Sequence, residues 1–230
     1  MQQPALIHGL VILRYAAYLS VCEKQKKDGE MAEINNPMAG QSVLDALIQR
    51  SSTPPRLMGD EAPSHAEIER MLKAAVTAPD HGAVRPWRFH IIKGDAREKL
   101  GDLFSASLLD KEPFAPPSAI EKEKKRPLRA PLIIAVCAKV DPSRAPKVPV
   151  VEQIVAAAGA MEHLVLAAQA MGYGVIVLTG RNAYAGRVRA AFGLEREDEL
   201  LGFVYIGKSA GPAPVKPRQD AADFTSEWNG

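Results

Sequence analysis

The chain has little cysteine, few aromatic residues and almost no net charge. Each of these shortages excludes some classes of protein. Its 230 residues include two cysteines, Cys22 and Cys137, and aromatic residues make up 6%. The cysteines have no metal-ligand spacing and provide no disulfide framework, so we predict that Cys137, in an apolar run, is a core residue in a reducing cytoplasm. A net charge of +2 gives no global attraction for nucleic acid or a membrane surface.

The common catalytic motifs are also missing. The sequence contains no Gly-x-Ser-x-Gly elbow, Walker loop, His-Glu-x-x-His or Cys-x-x-Cys, and its five histidines do not cluster along the chain. The turn Gly172-Tyr173-Gly174 lacks a third glycine and leads from a helix into a strand, the reverse of a dinucleotide fingerprint. The missing nucleophile, metal site and paired carboxylates favour a protein whose cofactor carries the chemistry.

The N-terminal region has an apolar stretch, but no uninterrupted membrane span. Arg14 interrupts the run from Pro4 to Cys22, and no basic residue precedes it, whereas a spanning helix needs ~20 mostly apolar residues. We expect residues 1–40 to be an extension outside the fold, disordered or upstream of a true start at Met31 or Met38. The alternative is a peripheral anchor; we expect no membrane association.

Hydrophobic periodicity predicts a mixture of helices and strands over residues 41–230. Helices are predicted after Ser42, after the Ser64–Glu67 capping box, after Asp95, and over Val151–Met171; strands are predicted at Trp87–Ile92, Leu132–Cys137, Val175–Gly180 and Leu200–Ile206. The continuous apolar strands indicate a sheet that helices cover. The fold class is therefore α/β or α+β.

Two segments differ from this pattern. Residues 111–130 combine Pro113, Pro116 and Pro117 with the charged run Glu121–Arg126, which is typical of a mobile connection or of a flap over a site. Residues 208–230 are rich in Pro, Ala, Lys and Asp, and we expect them to form a C-terminal tail with little core.

The most informative segment runs from Ala78 to Phe89. It places polar side chains between a helix and a strand, as expected of a ligand-facing loop. Its order, Ala-Pro-Asp-His followed by Arg-Pro-Trp, resembles the nitroreductase family, and most of all its compact YdjA-type branch. The resemblance covers roughly Ser42 to Gly207. It implies an α+β sandwich with a central mixed β-sheet flanked by helices, and FMN at a homodimer interface.

Arg50, Ser51 and Ser52 form the first implied part of the site. A guanidinium and two hydroxyls past a helix end suit a phosphate, although an ordinary helix C-terminus looks the same. In the family, the corresponding segment contacts the flavin phosphate and ribityl chain, with an Arg where this chain has Ser51. The resemblance also implies a phosphate-binding cation in the tail, where Lys208, Lys216 and Arg218 lie, and we select Arg218.

The remaining implied positions surround the flavin ring. The branch binds FMN through Arg and His at the positions of Thr77 and His81, so Thr77 departs from the pattern. Arg85, where most of the family has Gln, is expected near the pyrimidine edge. Val177, Leu178 and Thr179 are expected against the ring from the opposite subunit; the branch has Trp-Arg-Ser there.

The resemblance implies a cytoplasmic FMN-dependent oxidoreductase that uses NADH or NADPH. It would reduce a small-molecule electron acceptor, such as a nitroaromatic or a quinone, by ping-pong hydride transfer through flavin N5, with no obligatory catalytic side chain. Alternatives are reductive dehalogenation or flavin fragmentation on the same fold, and a non-catalytic FMN-binding protein. Arg129 and Arg181 are candidates for a 2′-phosphate contact, but the sequence gives them no recognisable setting.

Overall fold

The computed structural model describes residues 37–211 and 217–230, and the chain divides into two compact units, 1–49 and 50–230. The described part of the first unit is helix α1, Pro37–Gln49. Because α1 begins five residues before Ser42, the prediction that Ser42 caps this helix is wrong. Residues 1–36, which hold most of the predicted extension, lie outside the described part.

The second unit alternates helices and strands. Its helices are α2 His65–Ala75, α3 Ala96–Lys111, α4 Pro117–Lys125, α5 Val150–Ala170, α6 Gly180–Ala183 and α7 Gly186–Ala191, with 3₁₀ turns at Pro55–Leu57, His81–Ala83, Arg126–Arg129, Pro142–Arg144 and Ala221–Phe224. Its strands are β1 Trp87–Lys93, β2 Leu132–Ala138, β3 Tyr173–Leu178 and β4 Glu199–Lys208. The four predicted strands are confirmed to within a few residues, and the class is α+β.

The described strands form one sheet in the order β1-β2-β4-β3, and each neighbouring pair is antiparallel. The expectation of a mixed sheet is therefore wrong for the described residues. Strand β2 is buried along its whole length because helices cover both faces of the sheet. Its continuous apolar sequence reflects that cover and does not require parallel neighbours.

Each face of the sheet carries its own hydrophobic core. On one face, Met71 of α2 and Leu164 of α5 pack with Ile134 of β2. On the other face, Phe104 of α3 contacts Phe203 of β4 edge-to-face, with ring centroids 5.3 Å apart. Such aromatic pairs contribute about 0.5–1.5 kcal/mol beyond the area that they bury.

Two local predictions concern Cys137 and the helix caps. Cys137 is fully buried in the second core, as predicted, and burial raises the pKa of its thiol to about 12. Ser64 and Glu67 form the predicted reciprocal capping box of α2. Asp95 stands at the N-cap position of α3, but its side chain makes no capping hydrogen bond.

The segment 111–130 contains helix α4 and the 3₁₀ turn Arg126–Arg129. Helix α4 crosses α3 so closely that a Cβ added to Gly101 would lie 2.2 Å from the carbonyl oxygen of Lys124. The Glu123 side chain is buried, at 2% exposure. The prolines and mixed charges of this segment thus accompany a packed helix that its sequence did not indicate.

Helix α5 packs on the sheet and has an exposed flank. It has the length and apolar composition that could cross a membrane, but core helices of globular proteins meet the same two criteria. Its residues Leu164 and Ala168 are fully buried against the sheet. Val151 and Val155 on the other flank are 64% and 63% exposed.

Candidate functional site

The Arg50–Thr53 segment lies along the outer edge of β3. The backbone N–H of Thr53 donates to the carbonyl oxygen of Val175 over 2.9 Å. The Gln169 side chain of α5 donates to the carbonyl oxygen of Ser51 over 2.6 Å. These two bonds fix the backbone of the predicted phosphate-binding segment against the sheet, while Ser51 and Ser52 remain half-buried.

The structure brings Arg218 of the tail next to Arg50. The Arg218 guanidinium donates to the carbonyl oxygen of Arg50. The Arg50 side chain is 27% exposed, and its Nε lies 4.0 Å from Oε1 of the half-exposed Glu162 on α5. Lys208 instead places its Nζ 5.6 Å above the ring of Tyr173, and Lys216 lies outside the described residues. The Arg50 side chain thus has one weak, solvent-accessible carboxylate partner, and a second guanidinium contacts its backbone, an excess of cationic donors that favours binding of an anion.

Thr77 and His81 lie beside the same long helix. The Thr77 hydroxyl donates to the carbonyl oxygen of Ala74 over 2.7 Å and lies 3.2 Å from Nδ1 of His163 on α5. His81 places its Nδ1 2.5 Å from Oε2 of Glu152, in the first turn of α5. The carboxylate orients the imidazole, and the ring remains accessible because its side chain is 62% exposed.

The loop after His81 has an unusual backbone conformation. Gly82, Ala83 and Arg85 have φ angles of 69°, 52° and 54°, and a left-handed conformation costs a non-glycine residue about 1–2 kcal/mol. The loop is held by two bonds: the Asp80 carboxylate accepts from the Arg85 backbone N–H over 2.7 Å, and Arg144 donates to the carbonyl oxygen of Gly82 over 2.7 Å. Such a strained and supported loop is typical of a ligand-positioning segment.

The contacts along α5 set the scale of the site. Glu152, which holds His81, and Glu162, which pairs with Arg50, are ten residues apart in this helix. At 1.5 Å per residue, the two contacts are separated by roughly 15 Å along the helix axis.

Val177, Leu178 and Thr179 complete the predicted set at the end of β3. This strand pairs with β4 on one side and is an edge of the described sheet. Val177, Leu178 and Thr179 are half-buried, and Gly180 follows with a φ of 56° and open space around it. Val175 and Leu178 are roughly 10 Å apart along the strand. The residues predicted to support the flavin ring therefore follow, on the same strand, the position that the Arg50–Thr53 segment contacts.

Sequence reasoning missed the partners on α5. Glu152, Glu162, His163 and Gln169 contact four of the predicted residues. The available signal was the occurrence of polar residues on one flank of an otherwise apolar helix.

The residues that the structure brings together fit FMN. Arg50, Arg218 and the two serines provide cationic and hydroxyl donors for a phosphate, the His81–Arg85 loop provides polar groups, and the edge of β3 provides an apolar surface. Within residues 37–211 and 217–230, no group of three His, Cys, Asp or Glu side chains is arranged to hold a metal ion.

Comparison with known proteins identifies the family. The model of the nitroreductase family matches residues 47–208. YdjA of Escherichia coli strain K12, named as a provisional NAD(P)H nitroreductase, is 38% identical over 168 residues, which cover 72% of this chain and 87% of YdjA.

Solved structures show the same fold. A nitroreductase-like family protein from Bacillus cereus superposes with a TM-score of 0.69 at 24% identity, over 82% of this chain and 96% of its own. The FMN- and NADPH-dependent nitroreductase NfnB from Sphigopyxis sp. strain HMH gives a TM-score of 0.61 at 19% identity, over 81% and 98%. Taken with the match over residues 47–208, the chain belongs to the nitroreductase family of FMN-dependent NAD(P)H oxidoreductases.

Proposed function

We propose that this protein reduces nitroaromatics, quinones or similar small acceptors with NADH or NADPH in a ping-pong cycle. The observation that carries the proposal is the arrangement along α5 and the edge of β3. Arg50 and Arg218 lie together at one end, and the strained His81–Arg85 loop contacts the first turn of α5 at the other.

Bound FMN supplies the redox chemistry by accepting and donating hydride at its N5 atom. Arg50, Ser51 and Ser52 would bind the phosphate and ribityl end, with Arg218 as the second cation, and Thr77 would contact the flavin together with His81. His81, oriented by Glu152, and Arg85 would lie at the pyrimidine edge of the bound ring. A fixed cation at Arg85 stabilises negative charge that develops at that edge.

Val177, Leu178 and Thr179 support the flavin ring in this proposal. Val177 and Leu178 carry no charge, so the surface beside the ring accepts a planar apolar molecule. No side chain of the proposed site is required as an acid or base, since hydride transfer itself takes place between bound molecules.

We also propose a homodimer that forms through α5. The exposed Val151 and Val155 flank Glu152, which orients His81. A two-fold axis beside this helix would bury the valines and bring two copies of the His81 loop to one interface. The ring support at Val177–Thr179 then comes from the opposite subunit. We place the enzyme in the cytoplasm, where its reductants are produced and its buried Cys137 stays reduced.

An absorbance spectrum of the purified protein tests the proposal. We expect flavin bands near ~370 and ~450 nm that bleach on anaerobic addition of NADH or NADPH and return when a nitroaromatic or quinone is added. A protein that binds FMN but is not bleached by either reductant would be a non-catalytic flavin binder. A colourless protein that FMN does not reconstitute would rule out the cofactor site described above.

A further inference from the structure

A second polar site lies at the end of β3, on the opposite face of the sheet from α5. It is a cavity of about 290 Å³. Phe104, Phe203 and Tyr205 form its apolar floor, and the guanidinium groups of three arginines line it: Arg126, Arg129 and Arg181. We call it the arginine cavity. Neither the predicted phosphate segment at Arg50 nor the His81–Arg85 loop contributes to its lining.

The arginine cavity carries an excess of positive charge. Glu123 is its one buried carboxylate neighbour: Arg126 Nε lies 2.7 Å from its Oε2, and Arg181 Nη2 lies 3.4 Å from its Oε1. Asn182 also donates to Glu123, over 2.9 Å. The single carboxylate of Glu123 therefore pairs with two guanidinium groups.

Arg129 has no such partner. Among the described residues, no carboxylate lies within 4.0 Å of its guanidinium group, which stacks over the Tyr205 ring at 5.8 Å from the centroid. The exposed Glu112 pairs with Arg181 over 2.9 Å, but its side chain is 53% exposed, so solvent screens it. With both Glu123 and Glu112 counted, the three arginines leave a charge of +1 at the cavity, and Arg129 is the one of the three that no carboxylate of the described residues pairs with.

Three guanidinium groups suit a phosphate monoester, which has three acceptor oxygens and carries about −1.5 to −2 at neutral pH, better than they suit a single carboxylate. Guanidinium groups bind phosphate oxygens through paired hydrogen bonds. The volume of about 290 Å³ is at the lower limit for a whole ligand of drug size. The cavity therefore suits one anionic group of a larger molecule.

The position of the cavity indicates which molecule that is. Thr179 lines it, and Thr179 belongs to the proposed support of the flavin ring. In the proposed dimer this ring belongs to the flavin of the opposite subunit, and the phosphate of that flavin is already assigned to the opposite subunit's own Arg50 and Arg218. A second phosphate beside the ring end must therefore come from a molecule that docks on the flavin.

We propose that the arginine cavity binds the 2′-phosphate of NADPH, with Arg129 as the principal contact, and that the enzyme prefers NADPH to NADH for this reason. The inference rests on the proposed function, since it assumes that the reductant docks on bound FMN. It extends that function by assigning the choice of reductant to Arg126, Arg129 and Arg181.

Binding of oxidised dinucleotides to the FMN-loaded protein provides a test that does not depend on turnover. Isothermal titration calorimetry at fixed ionic strength would compare NADP⁺ with NAD⁺, and adenosine 2′,5′-bisphosphate with adenosine 5′-monophosphate. We expect the 2′-phosphorylated member of each pair to bind about tenfold tighter or more, as expected for hydrogen bonds to a charged group. Arg129→Gln should reduce this preference to about twofold and leave NAD⁺ binding unchanged.

Lys122→Gln is the matched control because it removes the same charge from the neighbouring helix α4, and Lys122 does not line the cavity. It should retain the full preference, and Arg129→Lys should retain part of it. Equal binding of NADP⁺ and NAD⁺ by the wild-type protein would overturn the proposal, as would equal weakening of both by Arg129→Gln. Loss of FMN from Arg129→Gln would assign the cavity to the flavin instead. Failure of the proposed function is separate: neither reductant would then bleach the flavin.

Discussion

Among single residues, Arg50 and Arg218 are the cations that the proposed function places at the flavin phosphate. Both are cations, and Arg218 is held against the backbone of Arg50 by a hydrogen bond to its carbonyl oxygen. Guanidinium groups bind phosphate oxygens through paired hydrogen bonds, so two such residues on one stretch of backbone favour an anion there. Glu162 is half-exposed and 4.0 Å from Arg50, so this ion pair is weak and competes little with an anion for Arg50.

Arg50→Gln should therefore weaken FMN binding. Loss of a charge-assisted contact to phosphate costs about 1.5–3 kcal/mol, which is roughly a tenfold to hundredfold increase in Kd. Quenching of FMN fluorescence on titration with apoprotein measures the change. Arg56→Gln, at an exposed arginine of the neighbouring 3₁₀ turn, should bind FMN as the wild type does. Equal Kd values for Arg50→Gln and Arg56→Gln would remove Arg50 from the phosphate site.

The resemblance selects Arg50, Thr77 and His81 as candidate site residues, but the sequence could not predict their partners. His81 and Glu152 are 71 positions apart, and Ser51 and Gln169 are 118 apart. Local periodicity describes which side of α5 is apolar, whereas the pairing of its polar side with the two loops depends on tertiary structure.

At the scale of elements, α4 shows how tertiary packing can stabilise a helix that its own sequence does not indicate. Pro117 occupies the N-terminal turn, where proline is favourable because its missing N–H has no helical partner. The remaining stability comes from the crossing with α3, where Gly101 permits close approach of the Lys124 backbone, and from buried Glu123. Neither contact is visible in the local pattern of prolines and charges.

Gly101→Ala should destabilise this crossing. The new methyl group would lie 2.2 Å from a backbone oxygen, so the helices must move apart, and overpacking of this kind costs about 1–3 kcal/mol. Gly186→Ala is the control, since an added Cβ there meets nothing within 4 Å and lies in the first turn of α7. Urea unfolding should show a lower midpoint for Gly101→Ala alone; equal midpoints would contradict the close crossing.

Glu123 makes the stability of the same element, helix α4, depend on pH. Burial raises the pKa of Glu123, but the hydrogen bond from Asn182 and the charges of Arg126 and Arg181 outweigh burial and hold the pKa below the ordinary value of a glutamate. A carboxyl whose folded pKa is lowered stabilises the fold above its unfolded pKa, and this contribution is lost as the pH falls through the folded value. The ionised form is therefore the stabilising one at neutral pH.

We expect Glu123→Gln to lower the free energy of unfolding at pH 7 by about 2 kcal/mol, because two partly exposed guanidinium groups lose their carboxylate. Below pH 4.5 the difference from the wild type should shrink, since the wild-type carboxyl becomes protonated there. Urea unfolding at several pH values measures both quantities. A difference that stays constant from pH 7 to pH 3 would show that the charge of Glu123 is not what stabilises the segment.

At the scale of the whole molecule, the strands were predictable and their order was not. Each strand is a local apolar run, but the order β1-β2-β4-β3 depends on pairings between residues far apart in sequence. This order makes β3 an edge strand of the described sheet and thereby leaves Val177–Thr179 accessible. The sequence predicted the ring-support residues only through the resemblance, and the topology supplies the physical reason that a ligand can reach them.

The proposed dimer follows from the same architecture, because α5 covers one face of the sheet and exposes Val151 and Val155 on its far side. Val155→Asp would place an unpaired charge in the interface. An uncompensated buried charge costs about 3–5 kcal/mol. The dissociation constant of the dimer should therefore rise at least about a hundredfold.

Sedimentation velocity combined with FMN absorbance measures the two consequences together. We expect a dimeric wild type with bound FMN, and a Val155→Asp protein that is monomeric and loses its flavin, since each site would then lack the contribution of the second subunit. Phe114→Asp is the matched control: Phe114 is 99% exposed and lies outside α5, so this variant should remain dimeric and yellow. A Val155→Asp monomer that keeps FMN at the wild-type affinity would mean that one chain forms the flavin site alone. In that case His81 and Arg50, which contact the same helix roughly 15 Å apart, would bind opposite ends of one flavin within a single subunit.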